Sequence, residues 1–325
     1  MKNGQNMPQF DITMAGELNL DLILYGLPAE LQPECELLAS DMMITLGGSS
    51  AIVAHNLALL GNRVGFISRI GDDPMGQIAL ERLAASGTDV SCVRQSTDGT
   101  ASGLSVILAR DAWRNILTYP GTISRLSFED LDFDYLASAR HFHLSSFYLQ
   151  TTLQPRVPEL FQRLKAAGLT ISMDTNDDPE DRWQGGVWEV LKYVDVFLPN
   201  EREALRITGA DDLEGAARRL TETVPLIVIK RGAQGAMALW GSKCFQGSPV
   251  KVKAIDAVGA GDSFDAGFIS RYVQGADVET CLTYGNLAGA LSTTRPGGTE
   301  AFLDRQHRDQ FFRENGVLPA SSSRI

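Results

Sequence analysis

The stretch "DAVGAGDSF", residues 256–264, sets Gly259, Ala260 and Gly261 directly before Asp262 and is followed by an aromatic stripe, Phe264, Phe268 and Tyr272. Residues four apart share one face of a helix, so the stretch reads as a loop entering a helix whose aromatic stripe anchors the core. Asp262 could simply cap that helix, but capping does not explain the small residues in front of it. Residues without bulk let backbone N–H groups approach an anion, and the helix start adds the positive end of its dipole. A carboxylate beside that anion is repulsive unless it removes a proton from a nucleophile attacking it. Phosphoryl transfer to an alcohol needs this pairing of a hole for developing charge with a base.

Outward from this stretch the chain alternates strands and helices. "FDITMAG" (10–16) reads as a first strand, "SSAIVAHNLALLG" (49–61) as a helix stopped by Gly61, and "RVGFISRIG" as the next strand. "PMGQIALERLAASG" is a helix running from Pro74 to Gly87. Strands at 141–146, "LTISMD", "VDVFLPN" and 226–230 alternate with helices at 156–167, 187–193, 200–208 and 212–222. A hairpin region (235–254) and helices near 260–274 and 277–295 complete the pattern. Strands rich in Ile, Val and Leu between amphipathic helices predict βαβ units and a central, mostly parallel sheet with helices on both faces. The reading is one α/β domain over residues 1–325, with a small β-rich appendage from segments near 17–46 and 98–121.

The chain has 325 residues, 44% of them hydrophobic and 21% charged, as in ordinary globular proteins. Its net charge of −11 argues against nucleic acid or an anionic membrane as the main partner. Cys35, Cys92, Cys244 and Cys281 have neither zinc-ligand nor redox spacing, which fits a reducing cytoplasm. No segment reads as a signal peptide or membrane span, so a cytoplasmic location is expected. Gly261 is followed by Asp-Ser-Phe, which breaks the dinucleotide fingerprint, and G-x-x-x-x-G-K-[ST] is absent. The four histidines form no metal constellation: His55 is on a helix, His307 near the tail, and His141 and His143 alternate on a strand, so at most one faces the site.

"DAVGAGDSFDAGF" resembles the C-terminal signature of the ribokinase-like (PfkB) carbohydrate kinases, and "GGSSAIVAHNLALLG" (47–61) their N-terminal one. "ITMAGELNLDLI" resembles their first strand with its Asn-x-Asp element, and the resemblance runs in the family's order from about residue 12 to about residue 300. It implies a three-layer fold with a small β-rich lid, and ATP-dependent phosphorylation of a hydroxyl on a sugar or similar small molecule. Asp262 would be the base, and the amides of Gly259, Ala260 and Gly261 the anion hole for the γ-phosphoryl group. "PNEREAL" matches an N-x-x-E element in which Asn200 and Glu203 organise Mg²⁺ and its waters; taken alone, the pair reads as a helix cap and capping box. Lys230, Gly232 and Gly235 of "IKRGAQGA" would lie along ATP, Asn286 on the adenine side, and "TRPGG" (294–298), with Gly298, at the closing loop. Asn19, Asp21, Gly47 and Gly48 match positions that bind sugar hydroxyls. Some members hold a monovalent cation such as K⁺ through backbone carbonyls, here those of Asp256, Val258, Thr293, Pro296 and Gly298.

The chain departs from that pattern in two places. Ile52 stands where many sugar kinases have Asn, removing one hydroxyl contact, and "DTNDDPEDRW" (174–183) carries extra acidic residues in an Asp-Pro-Asn stretch. Arg110 and Arg114 on the lid could meet an anionic group on the acceptor, although such arginines are more often solvated. The resemblance implies a homodimer through the lid. A nucleoside kinase of the same fold, or a binding regulator without turnover, are the alternatives. Joint survival of Asp262, the Gly-Ala-Gly stretch, Asn200 and Glu203 favours an enzyme over the regulator.

Overall fold

The computed structural model describes residues 8–28, 30–110 and 113–317. In chain order the strands are β1 (Ile12–Ala15), β2 (Asn19–Tyr25), β3 (Asp41–Gly47), β4 (Val64–Ile70), β5 (Asp89–Gln95), β6 (Leu104–Arg110), β7 (Trp113–Tyr119), β8 (His141–Leu144), β9 (Thr170–Met173), β10 (Val196–Phe197), β11 (Leu226–Lys230), β12 (Ala236–Trp240) and β13 (Lys243–Gly247). The helices are α1 (Ser49–Leu59), α2 (Pro74–Ala85), α3 (Phe133–Ala137), α4 (Val157–Ala166), α5 (Val187–Leu191), α6 (Glu201–Thr208), α7 (Leu213–Thr221), α8 (Ala260–Tyr272), α9 (Val278–Ser292), α10 (Glu300–Leu303) and α11 (Arg305–Glu314).

Nine strands form one sheet in the order β13-β12-β11-β10-β9-β8-β1-β4-β5. All neighbours from β11 to β5 are parallel; β12 and β13 add an antiparallel hairpin at one edge. One face buries Phe142, Leu144 and Ile171 against Leu160, Phe161 and Leu164 of α4 and Leu220 of α7. The other buries Phe66 and Val228 against Val53 of α1, Phe268 and Ile269 of α8, and Leu282 and Leu291 of α9. Helices therefore cover both faces of the sheet, as parallel strands require. Phe264 and Phe268 are buried and stack on each other, and Phe268 stacks on the half-buried Tyr272, so the aromatic stripe packs into the core.

A separate four-stranded sheet, β3-β2-β6-β7, is built from the two segments expected to form the appendage. Strand β5 and the C-terminal helices α10 and α11 had no clear sequence signal. β5 is a half-exposed edge strand with a register shift opposite Gly65–Ile67, where the Tyr135 hydroxyl accepts from Phe66 N at 3.1 Å. That irregularity breaks the alternation by which a strand is recognised.

The expectation that His141 and His143 point to opposite faces of their strand fails. His141 and His143 lie two residues apart on β8 and so share a face, because side chains on a strand repeat every two residues. Both are fully buried on the α8 side, and both bond the Ser172 hydroxyl at 2.7 Å. Burial holds His141 neutral, lowering it to about 3, and pushes His143 well below its usual value too.

Helices α8 and α9 approach closely at Gly267. A Cβ there would lie 2.4 Å from Tyr284 O and 2.6 Å from Ala288 Cβ. Gly267→Ala is expected to prise the helices apart and lower stability by about 1–3 kcal/mol, the usual cost of overpacking. Urea denaturation monitored by circular dichroism tests this; an unchanged midpoint would show that the crossing has slack.

Candidate active site

Ligands in open parallel sheets bind beyond the carboxyl ends of the strands, where helices begin. Here α1, α6 and α8 all start at that end. Gly259 precedes α8 with φ 69°, a left-handed conformation that favours glycine. No side chain caps α8, and Ala260 N makes only a 3.4 Å contact with Ala257 O. The first turn thus offers backbone amides to an anion. Crowding requires the glycines as well: a Cβ on Gly259 would sit 2.5 Å from Gly298 Cα, and one on Gly298 would sit 2.9 Å from Ile52 Cδ1. Ile52, in place of a polar residue, packs against this glycine pair.

Beneath the turn lies a buried ion cluster. Lys230 Nζ contacts Asp174 Oδ2 at 2.6 Å and Asp265 Oδ2 at 3.0 Å, and a Cβ on Gly261 would lie 3.7 Å from it. The ammonium expected along the nucleotide is therefore held by two carboxylates under the anion hole. Its two carboxylate neighbours outweigh burial and raise its pKa. Asp262 is 8% exposed and accepts from Asn176 Nδ2 at 3.3 Å. Burial, then repulsion from Asp174, lift its pKa to about 6, while Lys230 and the Ser49 hydroxyl pull it down.

Asn200 and Glu203 form a reciprocal capping box at the start of α6, with Asn200 N donating to Glu203 Oε2 at 2.8 Å and Glu203 N to Asn200 Oδ1 at 3.0 Å. Glu203 is buried, and burial with the nearby Asp174 raises its pKa. The pair is thus both a cap and a carboxylate held at the site end of the sheet.

On the opposite side, β2 carries Asn19 and Asp21 across from Gly47 and Thr45 of β3. A Cβ on Gly47 would fall 2.1 Å from Asp21 Oδ1, and one on Gly48 would fall 2.6 Å from Asn19 Oδ1. The Asn19 Oδ1 atom is buried without a partner, as a ligand-facing acceptor would be. Burial and repulsion from Asp262 raise Asp21 to about 7, which places the two carboxylates in one electrostatic environment. Beside them Glu17, which the sequence reading passed over, accepts from Ser50 N, Ser50 Oγ and Ser146 Oγ at 3.0, 2.7 and 2.6 Å. Its signal was its place two residues ahead of Asn-x-Asp.

The nucleotide side is more dispersed. Asn286 Nδ2 is buried and unpartnered, a donor suited to a purine nitrogen, and a Cβ on Gly247 would crowd it at 2.6 Å. Gly232 is exposed at the turn after β11, while Gly235 lets the hairpin close, since a Cβ there would meet Gly247 O at 2.2 Å. Of the carbonyls expected around a monovalent cation, Thr293 O accepts from Ile255 N at 2.7 Å and Gly298 O from Asn56 Nδ2 at 3.1 Å. Each of these oxygens has a second lone pair beside that hydrogen bond. Arg114 is exposed and pairs with Ala109, four residues from the Ser105–Thr118 pair beside Asp21. That offset is about 13 Å along the strand, so Arg114 is not level with the acceptor positions. The Arg110 side chain lies outside the described residues.

Lys230→Met would leave Asp174 and Asp265 buried without their counter-charge. A loss of about 3–5 kcal/mol is expected, as when one partner of a buried pair is removed. Chemical denaturation tests it, and Lys230→Met with Asp265→Leu should recover part of the loss; equal stability of wild type and single variant would remove the cluster from the structural account.

Against this geometry, the family described as pfkB family carbohydrate kinase matches residues 9–305. An ATP-dependent ribose-1-phosphate kinase of Halopiger xanaduensis is 30% identical over 292 residues, covering 89% of this chain and 94% of the relative. A cytidine kinase of Thermococcus kodakarensis is 32% identical over 243 residues, covering 74% and 84%. The crystal structure of a PfkB protein from Polaromonas sp. is 27% identical and superposes with a TM-score of 0.75 over 90% of this chain and 99% of its own. Among the described residues no helix is long and apolar enough to cross a membrane. The chain belongs to the pfkB carbohydrate kinase family, phosphotransferases with an alcohol group as acceptor.

Proposed function

We propose that this protein transfers the γ-phosphoryl group of ATP to a hydroxyl of a sugar or sugar-like small molecule. The observation that carries the reading is Asp262: buried, raised to about 6, and set in the first turn of an uncapped helix behind Gly259–Gly261. A base of that strength is largely ionised at neutral pH yet still basic enough to take a hydroxyl proton. In the step, the acceptor O–H proton moves to Asp262 and its oxygen bonds the γ-phosphorus. The bond to the bridging oxygen breaks, and its electron pair leaves with ADP. The amides of residues 259–261 stabilise the charge on the transferring group.

Asn19, Asp21, Gly47 and Gly48 hold the acceptor. Asn286, Gly232 and the Gly298 loop take the nucleotide. Mg²⁺ would enter with the phosphates and neutralise their charge, with Asn200 and Glu203 supplying oxygens for it and its waters. The four-stranded sheet acts as a lid that excludes water. Exposed Met42, Ile116, Leu117 and Tyr119 on that sheet favour a homodimer through the lid, and the setting is a reducing cytoplasm. A nucleoside acceptor is the second reading, favoured by the likeness to a cytidine kinase.

Neutral sugars, ribose 1-phosphate, 2-dehydro-3-deoxygluconate and cytidine, compared by ADP release with MgATP, separate these readings. Release with none of them would favour a regulator without turnover. Asp262→Asn should lower kcat by about 10²–10⁴. At saturating acceptor, wild-type kcat should fall as pH drops through about 6, where Asp262 becomes protonated, and the variant should lose this acid limb. Near-native turnover in the variant would remove Asp262 from the chemistry.

A further inference from the structure

Strand β2 serves two places at once. Asn19, Asp21, Ile23 and Tyr25 alternate on one face, the first two at the acceptor positions. At the far end, the Tyr25 hydroxyl donates to Asp256 Oδ2 at 3.0 Å. The same carboxylate accepts from Val258 N at 2.9 Å and from Gly297 N at 3.1 Å. Asp256 thereby ties the segment leading into Gly259 to the loop whose Gly298 packs on Gly259. Val258 itself is buried in a cluster with Ile23 and Ile107 of the four-stranded sheet, with Tyr25 and Ala109 packed against it. Strand β3 touches the same loop: Thr45 Oγ1 donates to Glu300 Oε1 at 3.0 Å and lies 3.3 Å from Thr299 Oγ1.

We propose that Tyr25 is a positioning residue whose hydroxyl, through Asp256, sets the anion hole from the lid. The inference rests on the kinase reading above. The segment 256–258 is the last stretch before the amides that would hold the γ-phosphoryl group, and two of its residues meet the lid, Asp256 through the Tyr25 hydroxyl and Val258 through Ile23 and Ile107. A lid lying over the acceptor therefore also fixes the backbone that receives the phosphoryl group. A lid displaced from an empty acceptor site would take the Tyr25 hydrogen bond and the Ile23–Ile107 socket with it. The hole would then relax while ATP is bound alone, which guards against hydrolysis.

Hydrogen–deuterium exchange on wild type and Tyr25→Phe, each with and without the Mg²⁺ complex of a non-hydrolysable ATP analogue, tests this. Exchange of peptides spanning 256–262 and 294–300 should speed up about tenfold in the variant, the effect of one lost hydrogen bond to a charged group. Peptides from β8 and β9 and the melting temperature should not change. With whichever of ribose 1-phosphate, 2-dehydro-3-deoxygluconate, cytidine or a neutral sugar the wild type turns over, kcat should fall about tenfold while acceptor KM moves little. Asp256→Asn should behave likewise, and the double variant should lose little more than either alone. Unchanged exchange at both segments would overturn the proposal. A chain-wide increase with a lowered melting temperature would also overturn it, because Tyr25 would then be holding the fold and not the hole. If the wild type turns over none of these acceptors, the kinase reading is what fails, and the exchange comparison still decides the role of Tyr25.

Discussion

The Lys230 ammonium is shared by Asp174 and Asp265, and this shared charge ties the carboxyl ends of β9 and β11 to the first turns of α8. Asp262 and Glu203 lie in the same buried neighbourhood, and both are pushed toward protonation by Asp174. Four carboxyl groups so placed would repel one another and water would have to enter to solvate them. One ammonium beneath Gly261 offsets this, and it pulls the Asp262 carboxyl back down. Burial and Asp174 lift the carboxyl; Lys230 holds it near neutrality. The amides of the uncapped turn lie directly above the same cation, so the region is a graded field from buried charge to open donors.

Much of this was legible in the chain. The alternation of Ile- and Val-rich strands with amphipathic helices gave the parallel sheet, and glycines at helix ends gave the boundaries. The Gly-Ala-Gly-Asp turn was readable because its chemistry is local: small residues, an amide and a carboxylate within one helical turn. Asn19 and Asp21 were readable only through the resemblance to the Asn-x-Asp element; that they share a face of β2 came from the structure. Asp174, Asn176 and Asp265 were not, since their meaning lies in contacts 35 to 86 residues away along the chain. The carboxylate partners of Lys230 were hidden for the same reason. Lys230 stands beside a glycine-rich turn in sequence, but its direction is decided by carboxylates on other elements. Asn200 and Glu203 carry two meanings in one spacing, because the i to i+3 geometry of a capping box also brings two oxygens to one place.

Backbone proximity explains why glycine recurs where the two halves of the site meet. Gly259 and Gly298 touch without side chains between them, Gly297 has φ 80° and rests against Thr45, and Gly47 and Gly48 leave room for Asp21 and Asn19. A Cβ at any of these points would collide with the neighbouring backbone or side chain. The four-stranded sheet meets the helices here through these backbone contacts, through Tyr25, and through the apolar contacts of Leu20 and Leu46 with the α8 and α9 cluster.

The buried histidines carry a consequence of a different kind. Thr170 Oγ1, His141, Ser172 Oγ, His143 and Ser145 Oγ form an unbroken hydrogen-bonded file, with spacings of 2.7 to 2.8 Å. Ser172 has one hydroxyl proton and two imidazole neighbours, so it donates to one and accepts from the other. If it donates to His143 Nδ1, then His143 is protonated at Nε2, and His141 must donate from its own Nε2. If it donates to His141 Nε2, both rings carry their proton on Nδ1. The two rings therefore always share the same tautomer. In the Nδ1 arrangement the Thr170 proton is released toward Arg140 O, 3.4 Å away. In the other it faces His141, and the Ser145 proton is free at the site end of β8. Nitrogen chemical shifts of the two rings would change together or not at all, so this interior file behaves as a single two-state element.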